Sequence, residues 1–415
     1  MNHNGIVMNN VLRQPLLFLT FMKIEYFRNG KYTSIQLANI QLKPQRMMKH
    51  VLAIALMAAL LCGRQAHGQT FHHPFLSPDS YSSIAELSAA MPAAFDAAAP
   101  DTASSFHLYS ACYPDTPLSS ISQFGARRCV TALASKEAAG RATGTDGIAY
   151  ARNYIIDSYL QAGIKPWNNN DKSWDGAYAH GFYFYTKGGM KLLGANVIGY
   201  IPSRSGSKEW IVIGAHYDHL GTIGEKIYYG ADDNASGVAV LLELANAFGS
   251  AYKRNMLPEK NILFIAFDGK EFNRAGSLEF IRNGGIHPSD ISLMINLDQI
   301  GSTLAPPGKS KDYMLILGRE KVDATIVRKI NYLNKAYGLN MDLDYTFYGS
   351  KSFYKIFSGL SDQRSFTDYH APALLFTSGI TENTYKTTDT EDTITYSALI
   401  ARTRLIYLLV FSLVK

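Results

Sequence analysis

Three cysteines in 415 residues set the first limit. Cys62 falls in an apolar run near the N-terminus, which leaves Cys112 and Cys129. Two cysteines exclude a cysteine-only zinc site. They permit one disulfide in an oxidising compartment, or two buried thiols. Long apolar runs are also lacking. VLAIALMAALLC (51–62) and the C-terminal YSALIARTRLIYLLVFSLV read as shorter than the roughly 20 consecutive apolar residues of a membrane span. An excess of one charge is missing as well. The formal charge is +6, but residues 1–68 hold eight Lys/Arg and one Asp/Glu. The remainder has 32 basic and 33 acidic residues, so bulk charge gives no basis for binding nucleic acid or membrane. Repeats and low-complexity linkers are absent. What is present, 47% hydrophobic and 12% aromatic residues with 26 tyrosines, describes a packed globular chain rather than a disordered one.

The N-terminus reads as an address. Lys49 and His50 precede the apolar run, and Ala66, His67 and Gly68 follow it as a small-x-small end. That is the pattern of a secretory signal peptide cleaved after Gly68. Leu60 and Leu61 before Cys62 do not suit lipid attachment. Met47 and Met48 are plausible starts, so residues 1–46 read as an over-extended N-terminus and 47–68 as the signal. The mature protein is then expected to be secreted or periplasmic. Residues 69–125, rich in Ala, Ser, Pro and Asp, read as a lead-in to one domain at 126–415.

Within that domain helical and extended patterns alternate. ARNYIIDSYLQAGIKP (151–166) has helical spacing, with Gly163 and Pro166 as stop signals. ANVIGYIP (195–202), EWIVIGAH (209–216), NILFIAF (261–267), SLMINLDQI (292–300), YMLILG (313–318) and ALLFTSG (373–379) read as strands. Helices are expected at 236–250, capped by Ser236, at 321–338 and at the C-terminus. This alternation predicts an α/β fold: one mostly parallel, twisted sheet between layers of helices.

Four strand ends carry polar residues: GAHYDHLG (His216, Asp218, His219), YYGADDNASG (Asp232, Asp233), FDGKEF (Asp268, Glu271) and MINLDQIG (Asp298). A lone His-x-Asp is more often a surface turn, and one acid beside Ser236 is more often capping chemistry. An acid straight after a buried strand is costly unless paired or bound to a cation. Open α/β sheets keep their sites at the carboxyl ends of strands. One histidine and three acids converging there suit zinc.

These stretches resemble the secreted co-catalytic zinc exopeptidases of metallopeptidase family twenty-eight (clan MH), of the aminopeptidase Y and aminopeptidase S type. The likeness runs from about residue 130 to the C-terminus, through ALASKEAAGRATGTDG, NVIGYIP, IVIGAHYDHLG, YYGADDNASGVAVLLELA, NILFIAFDGKEF, INLDQIG and APALLFTSGI…YKTTDTEDTI. It implies the zinc exopeptidase (phosphorylase/hydrolase-like) fold and peptide hydrolysis at the N-terminus. It also implies metal ligands at His216, Asp233 (bridging two zincs), Glu271 (first metal) and Asp298 (second metal), with Asp218 orienting His216. In such sites two zincs polarise the carbonyl and activate water. A glutamate just before the Glu271 position acts as general base.

Three positions depart from the pattern. Lys270 stands at the general-base position, Lys386 replaces the late histidine ligand, and Gln363 stands in SDQRSF where the family has Ser-Asp-His. A lysine is protonated at neutral pH and neither accepts a proton nor binds zinc. Three carboxylates then face two ammonium groups, so the lysines are expected to take the first metal's space, leaving one zinc or none. Asp268, two residues before Lys270, and His370 are the residues that could rescue the chemistry. The sequence thus predicts a member of this family with weak or lost catalysis. The alternatives are a non-catalytic relative binding peptides or N-terminal amines, and a glutaminyl-cyclase-like acyltransferase, which would need the same missing groups.

Overall fold

The computed structural model describes residues 21–28, 31–38, 117–168, 176–303 and 312–415. The expected signal peptide, most of the lead-in and Cys112 lie outside the described residues. In the segment read as an over-extended N-terminus, β1 (Phe21–Arg28) and β2 (Lys31–Ala38) pair as an antiparallel hairpin.

The larger unit is built on a nine-stranded sheet. Its strands are β3 (Lys165–Pro166), β4 (Ala179–Tyr185), β5 (Lys191–Ile201), β6 (Trp210–His216), β9 (Asn261–Phe267), β10 (Ile291–Leu297), β11 (Tyr313–Leu317), β12 (Asp342–Asp344) and β13 (Ala373–Thr377). A separate hairpin joins β7 (Gly221–Ile223) to β8 (Lys226–Tyr228). The sheet order is β12-β11-β13-β10-β6-β9-β5-β3, with β4 also on β5. The central run β13-β10-β6-β9 is parallel. Antiparallel pairings of β11 with β13 and of β5 with β9 flank it. Every residue of β9 is buried, because helices cover both faces of a central parallel strand.

Eight helices are described: α1 (Gln123–Leu133), α2 (Asp146–Ala162), α3 (Gly237–Lys253), α4 (Ala275–Asn283), α5 (Ala324–Ala336), α6 (Lys351–Phe357), α7 (Gln363–Asp368) and α8 (Tyr396–Val414). Ile262, Phe264 and Ala266 of β9 face the core shared with α1, α2, α3, α5 and α8. Leu263, Ile265 and Phe267 face the core shared with α4 and α7. The period of two along the strand thus serves both layers.

Four details differ from the sequence reading. Core packing starts before residue 126: Leu118 and Ile121 are buried, and Ser122 caps α1 through Gly125 N. Ser236 does not cap α3 with its side chain, which donates to Asp232 instead; Asn234 Oδ1 accepts from Gly237 N. β4 joins the sheet edge beyond β5. The C-terminal helix is not too short. Its 19 residues at mean hydropathy 1.7 suffice by length and composition to cross a membrane, yet 72% of that window is buried inside the fold. Arg402, fully buried within α8, donates to the carbonyls of Ile300, Ser302 and Tyr313. That role belongs to a core helix.

A buried acid between α1 and α3 gives a pH signature. Glu243 accepts from Ser122 N at 2.7 Å. Burial pushes its carboxyl up from 4.5 to about 7, against that amide and Arg128. The folded chain therefore holds the proton more tightly than the unfolded chain. This contribution to stability is full below about pH 4.5 and is lost as the pH rises through 7. Glu243→Gln keeps the acceptor and removes the titration. It should match the parent near pH 4 and exceed it by up to about 3 kcal/mol at pH 8, read by urea denaturation. An equal difference at both pH values would contradict this account.

Candidate metal centre

The carboxyl ends of β6, β9 and β10 bring the site together. His216 closes β6, Asp298 follows β10, and Lys270 and Glu271 occupy a short helical turn after β9. Asp233 comes from the irregular turn Ala231–Ser236, which opens α3 and contains a cis Asp233–Asn234 peptide. Two clamps hold these loops. Arg141, fully buried, donates to the carbonyls of Leu133, Tyr217 (2.9 Å), Tyr229 (2.8 Å) and Gly230 (2.9 Å). Asp389 accepts from the amides of Asp232 (2.8 Å) and Asp233 (3.0 Å). Neither clamp had a role in the sequence reading, although both lie in quoted stretches.

His216, Asp233 and Asp298 form one group. His216 Nε2 lies 3.4 Å from Asp233 Oδ1 and 3.3 Å from Asp298 Oδ1. Donors at 2.0–2.2 Å around a tetrahedral zinc stand about 3.4 Å apart, so these spacings fit. All three residues are buried, and neither oxygen of Asp233 accepts a hydrogen bond. Behind them, Ser361 Oγ donates to Asp298 Oδ2 and Asn296 donates to Ser361 and to Gln363 Oε1. Gln363 thus serves the support of Asp298 rather than replacing a ligand. His216 Nδ1 donates to the Asp218 carbonyl oxygen at 3.0 Å, while the Asp218 carboxylate stands at 3.8 Å. That carboxylate instead accepts from the amides of Lys270 and Glu271, both at 3.0 Å. Asp218 therefore orients the imidazole mainly through its backbone and positions the neighbouring turn through its side chain.

Lys270 lies inside the carboxylate cluster. Its Nζ donates to Glu271 Oε1 at 2.8 Å and stands 3.6 Å from Asp233 Oδ1 and 3.4 Å from the Tyr385 hydroxyl. Burial alone would lower the ammonium, but Asp233 and Glu271 hold it well above the usual lysine value. Burial would raise Asp233, yet Lys270 and His216 keep it far below the usual carboxylate range. Both shifts favour the charged forms of the pair.

Lys386 does not share this position, contrary to the expectation of two ammonium groups among the carboxylates. Tyr385 takes a positive φ of 60°. Its ring stacks on His219, with 6.1 Å between centroids and 6° between planes. Lys386 is half-buried in the following turn; burial lowers its pKa and Glu382 is the charge that opposes it. Neither of the two candidate rescues, Asp268 and His370, takes that role. The Asp268 carboxylate is taken up by Thr143, Ala195 N and Gly269 N. The chain turns at Gly269 (φ +70) instead of staying extended. His370 is exposed, ahead of β13 and so at the opposite sheet edge.

The residue that the sequence reading left without a role is His219. It joins Asp233 and Glu271 as a second group, with all ligand atoms within 4.8 Å of one another.

Comparison with known proteins bears on the fold and the family. The crystal structure of Porphyromonas gingivalis glutaminyl cyclase matches with a TM-score of 0.54 at 16% identity, covering 71% of this chain and 99% of that one. The aminopeptidase from Aneurinibacillus sp. strain AM-1 matches at 0.53 and 16%, covering 71% and 94%. At these identities the likeness shows the fold. Among curated relatives, human transferrin receptor protein 2 is 37% identical over 86 residues, 21% of this chain and 10% of its own length. The zebrafish (Danio rerio) BOS complex subunit ncln is 32% identical over 140 residues, 31% and 24% respectively. A probable zinc metalloprotease of Pyrenophora tritici-repentis is 27% identical over 180 residues, 41% and 39%. The chain thus spans about a tenth to two fifths of the length of these relatives. The family model described as Peptidase family M28 matches residues 196–410, more than half of the chain and every residue of the metal centre, and the protein belongs to that family.

Proposed function

We propose that the protein is a secreted or periplasmic relative of the zinc aminopeptidases that engages peptides at their N-termini, holds one zinc at His216, Asp233 and Asp298, and hydrolyses peptides weakly or not at all. The observation that carries this reading is the Lys270 ammonium, 2.8 Å from Glu271 and 3.6 Å from Asp233. An ammonium has three donors and no acceptor, so it keeps its proton where the chemistry needs one removed. It also sets a positive charge between the carboxylates that would hold the first metal. The group of His216, Asp233 and Asp298 keeps its ligands, with His216 Nε2 at the zinc-compatible spacings of 3.4 Å and 3.3 Å from the two carboxylates. These three residues would hold a zinc ion, which would supply the positive charge to polarise a peptide carbonyl. Asp218 fixes the backbone of the 270–271 turn, and Tyr385 closes over the same side.

Loss of the general base with retention of the fold also suits a non-catalytic peptide-binding role. The names of two relatives, a receptor and a complex subunit, are compatible with that role. A cyclase-type reading needs the same carboxylate at position 270 and gains nothing from this geometry.

The test is a panel of aminoacyl and N-terminal glutaminyl peptides, with and without chelator, beside a zinc count. The expected result is one zinc per chain and turnover at or below about a hundredth of that expected with a general base in place. Brisk, chelator-sensitive hydrolysis by the unmodified protein would overturn the reading.

A further inference from the structure

We infer that the first metal position persists in latent form, with His219 standing in for the imidazole missing at Lys386 and Lys270 acting as the tethered cation that keeps a second ion out. This rests on the one-zinc reading above.

His219 is more buried than a surface-turn histidine should be, and worse satisfied than a core histidine should be. Its side chain has no exposed surface, and neither ring nitrogen has a hydrogen-bond partner. Both oxygens of Asp233 share that condition. Buried polar atoms are nearly always paired, and leaving them unpaired is costly. Asp233 Oδ1 has the Lys270 ammonium at 3.6 Å, but Asp233 Oδ2 and both His219 nitrogens, on two facing side chains, have no such partner, which points to a ligand set rather than to packing. Asp233 Oδ1 faces His216 at 3.4 Å, and Oδ2 faces His219 Nδ1 at 4.0 Å. One carboxylate therefore addresses both groups.

The chain also makes room for the ring. Gly230 adopts φ +61, and a Cβ there would lie 2.5 Å from His219 Cδ2 and 2.3 Å from the Asp233 carbonyl. The Tyr385 ring lies parallel to that of His219, with 6.1 Å between centroids. The 4.0 Å separation exceeds the ~3.4 Å expected around tetrahedral zinc.

The test counts zinc per chain by elemental analysis after dialysis against buffered free zinc, and records the zinc-dependent rise in melting temperature. The parent should hold one ion. Lys270→Ala, with Lys270→Gln as a second variant in case the first folds poorly, should hold two and gain a larger zinc-dependent stabilisation. Adding His219→Gln to either variant should return the count to one, and adding Lys386→Ala should leave it at two. A parent count other than one overturns the one-zinc reading. Equal counts in parent and both Lys270 variants overturn the latent site. So does a second ion that survives His219→Gln or disappears with Lys386→Ala.

Discussion

Lys270→Glu is expected to raise aminoacyl-peptide hydrolysis by about 10²–10⁴-fold, the range that a positioned general base supplies. The backbone at position 270 is already fixed. Its amide donates to Asp218 Oδ1 at 3.0 Å, and the short turn after β9 is anchored by Gly269. The side chain at this position reaches Glu271 and Asp233 now, as a cation. A glutamate on the same Cα would bring an acceptor to the same side, one bond nearer the backbone. The change moves the local charge by two units. Without metal, four carboxylates would then crowd one buried pocket and the variant should be less stable than the parent. With zinc the charges balance and stability should return. Initial rates with and without chelator, beside melting curves in both conditions, read the two effects together. If the variant binds zinc yet stays as inert as the parent, position 270 is not the base position.

Arg141→Met should cost about 4 kcal/mol of folding stability and weaken zinc binding at the same time. The guanidinium is fully buried and reaches four carbonyls drawn from three parts of the chain. Burial lowers its pKa to about 10, with Asp389, Asp233 and Asp218 opposing that shift, so it is charged at neutral pH. Methionine preserves much of the stem's packing but none of the five donors. The carbonyls of Tyr217, Tyr229 and Gly230 would be left unpaired in the interior. They belong to the loops that carry His216 and Asp233, so the loss should reach the metal centre. Urea denaturation and zinc affinity would report it. A stable variant with lowered affinity would place Arg141 in the site alone. An unchanged affinity would place it in the fold alone.

Much of this architecture is legible in the sequence because the central strands are simple. EWIVIGAH, NILFIAF, SLMINLDQI and ALLFTSG are apolar runs of strand length, and each becomes a buried strand. Position after such a run also identifies His216 and Asp298. What the sequence hides is direction. Asp268 and Lys270 share one side only if the chain stays extended, and Gly269 bends it. Lys386 aligns with a ligand position, but the left-handed backbone at Tyr385 brings the tyrosine, not the lysine, to the site. The role of His219 depends on its nitrogens being buried without partners, which no residue spacing reports. The α8 stretch shows the limit of composition. Its hydropathy is that of a membrane span, while its contacts are those of a core helix held through Arg402.

On the proposed reading the Lys270 ammonium takes the place of the first metal. The most direct test is a crystal structure of the unmodified protein grown with zinc, with anomalous differences measured at the zinc edge. One peak is expected, among His216, Asp233 and Asp298, with Lys270 Nζ still within hydrogen-bonding distance of Glu271. A second peak of comparable height among His219, Asp233 and Glu271, with Lys270 turned away, would contradict it.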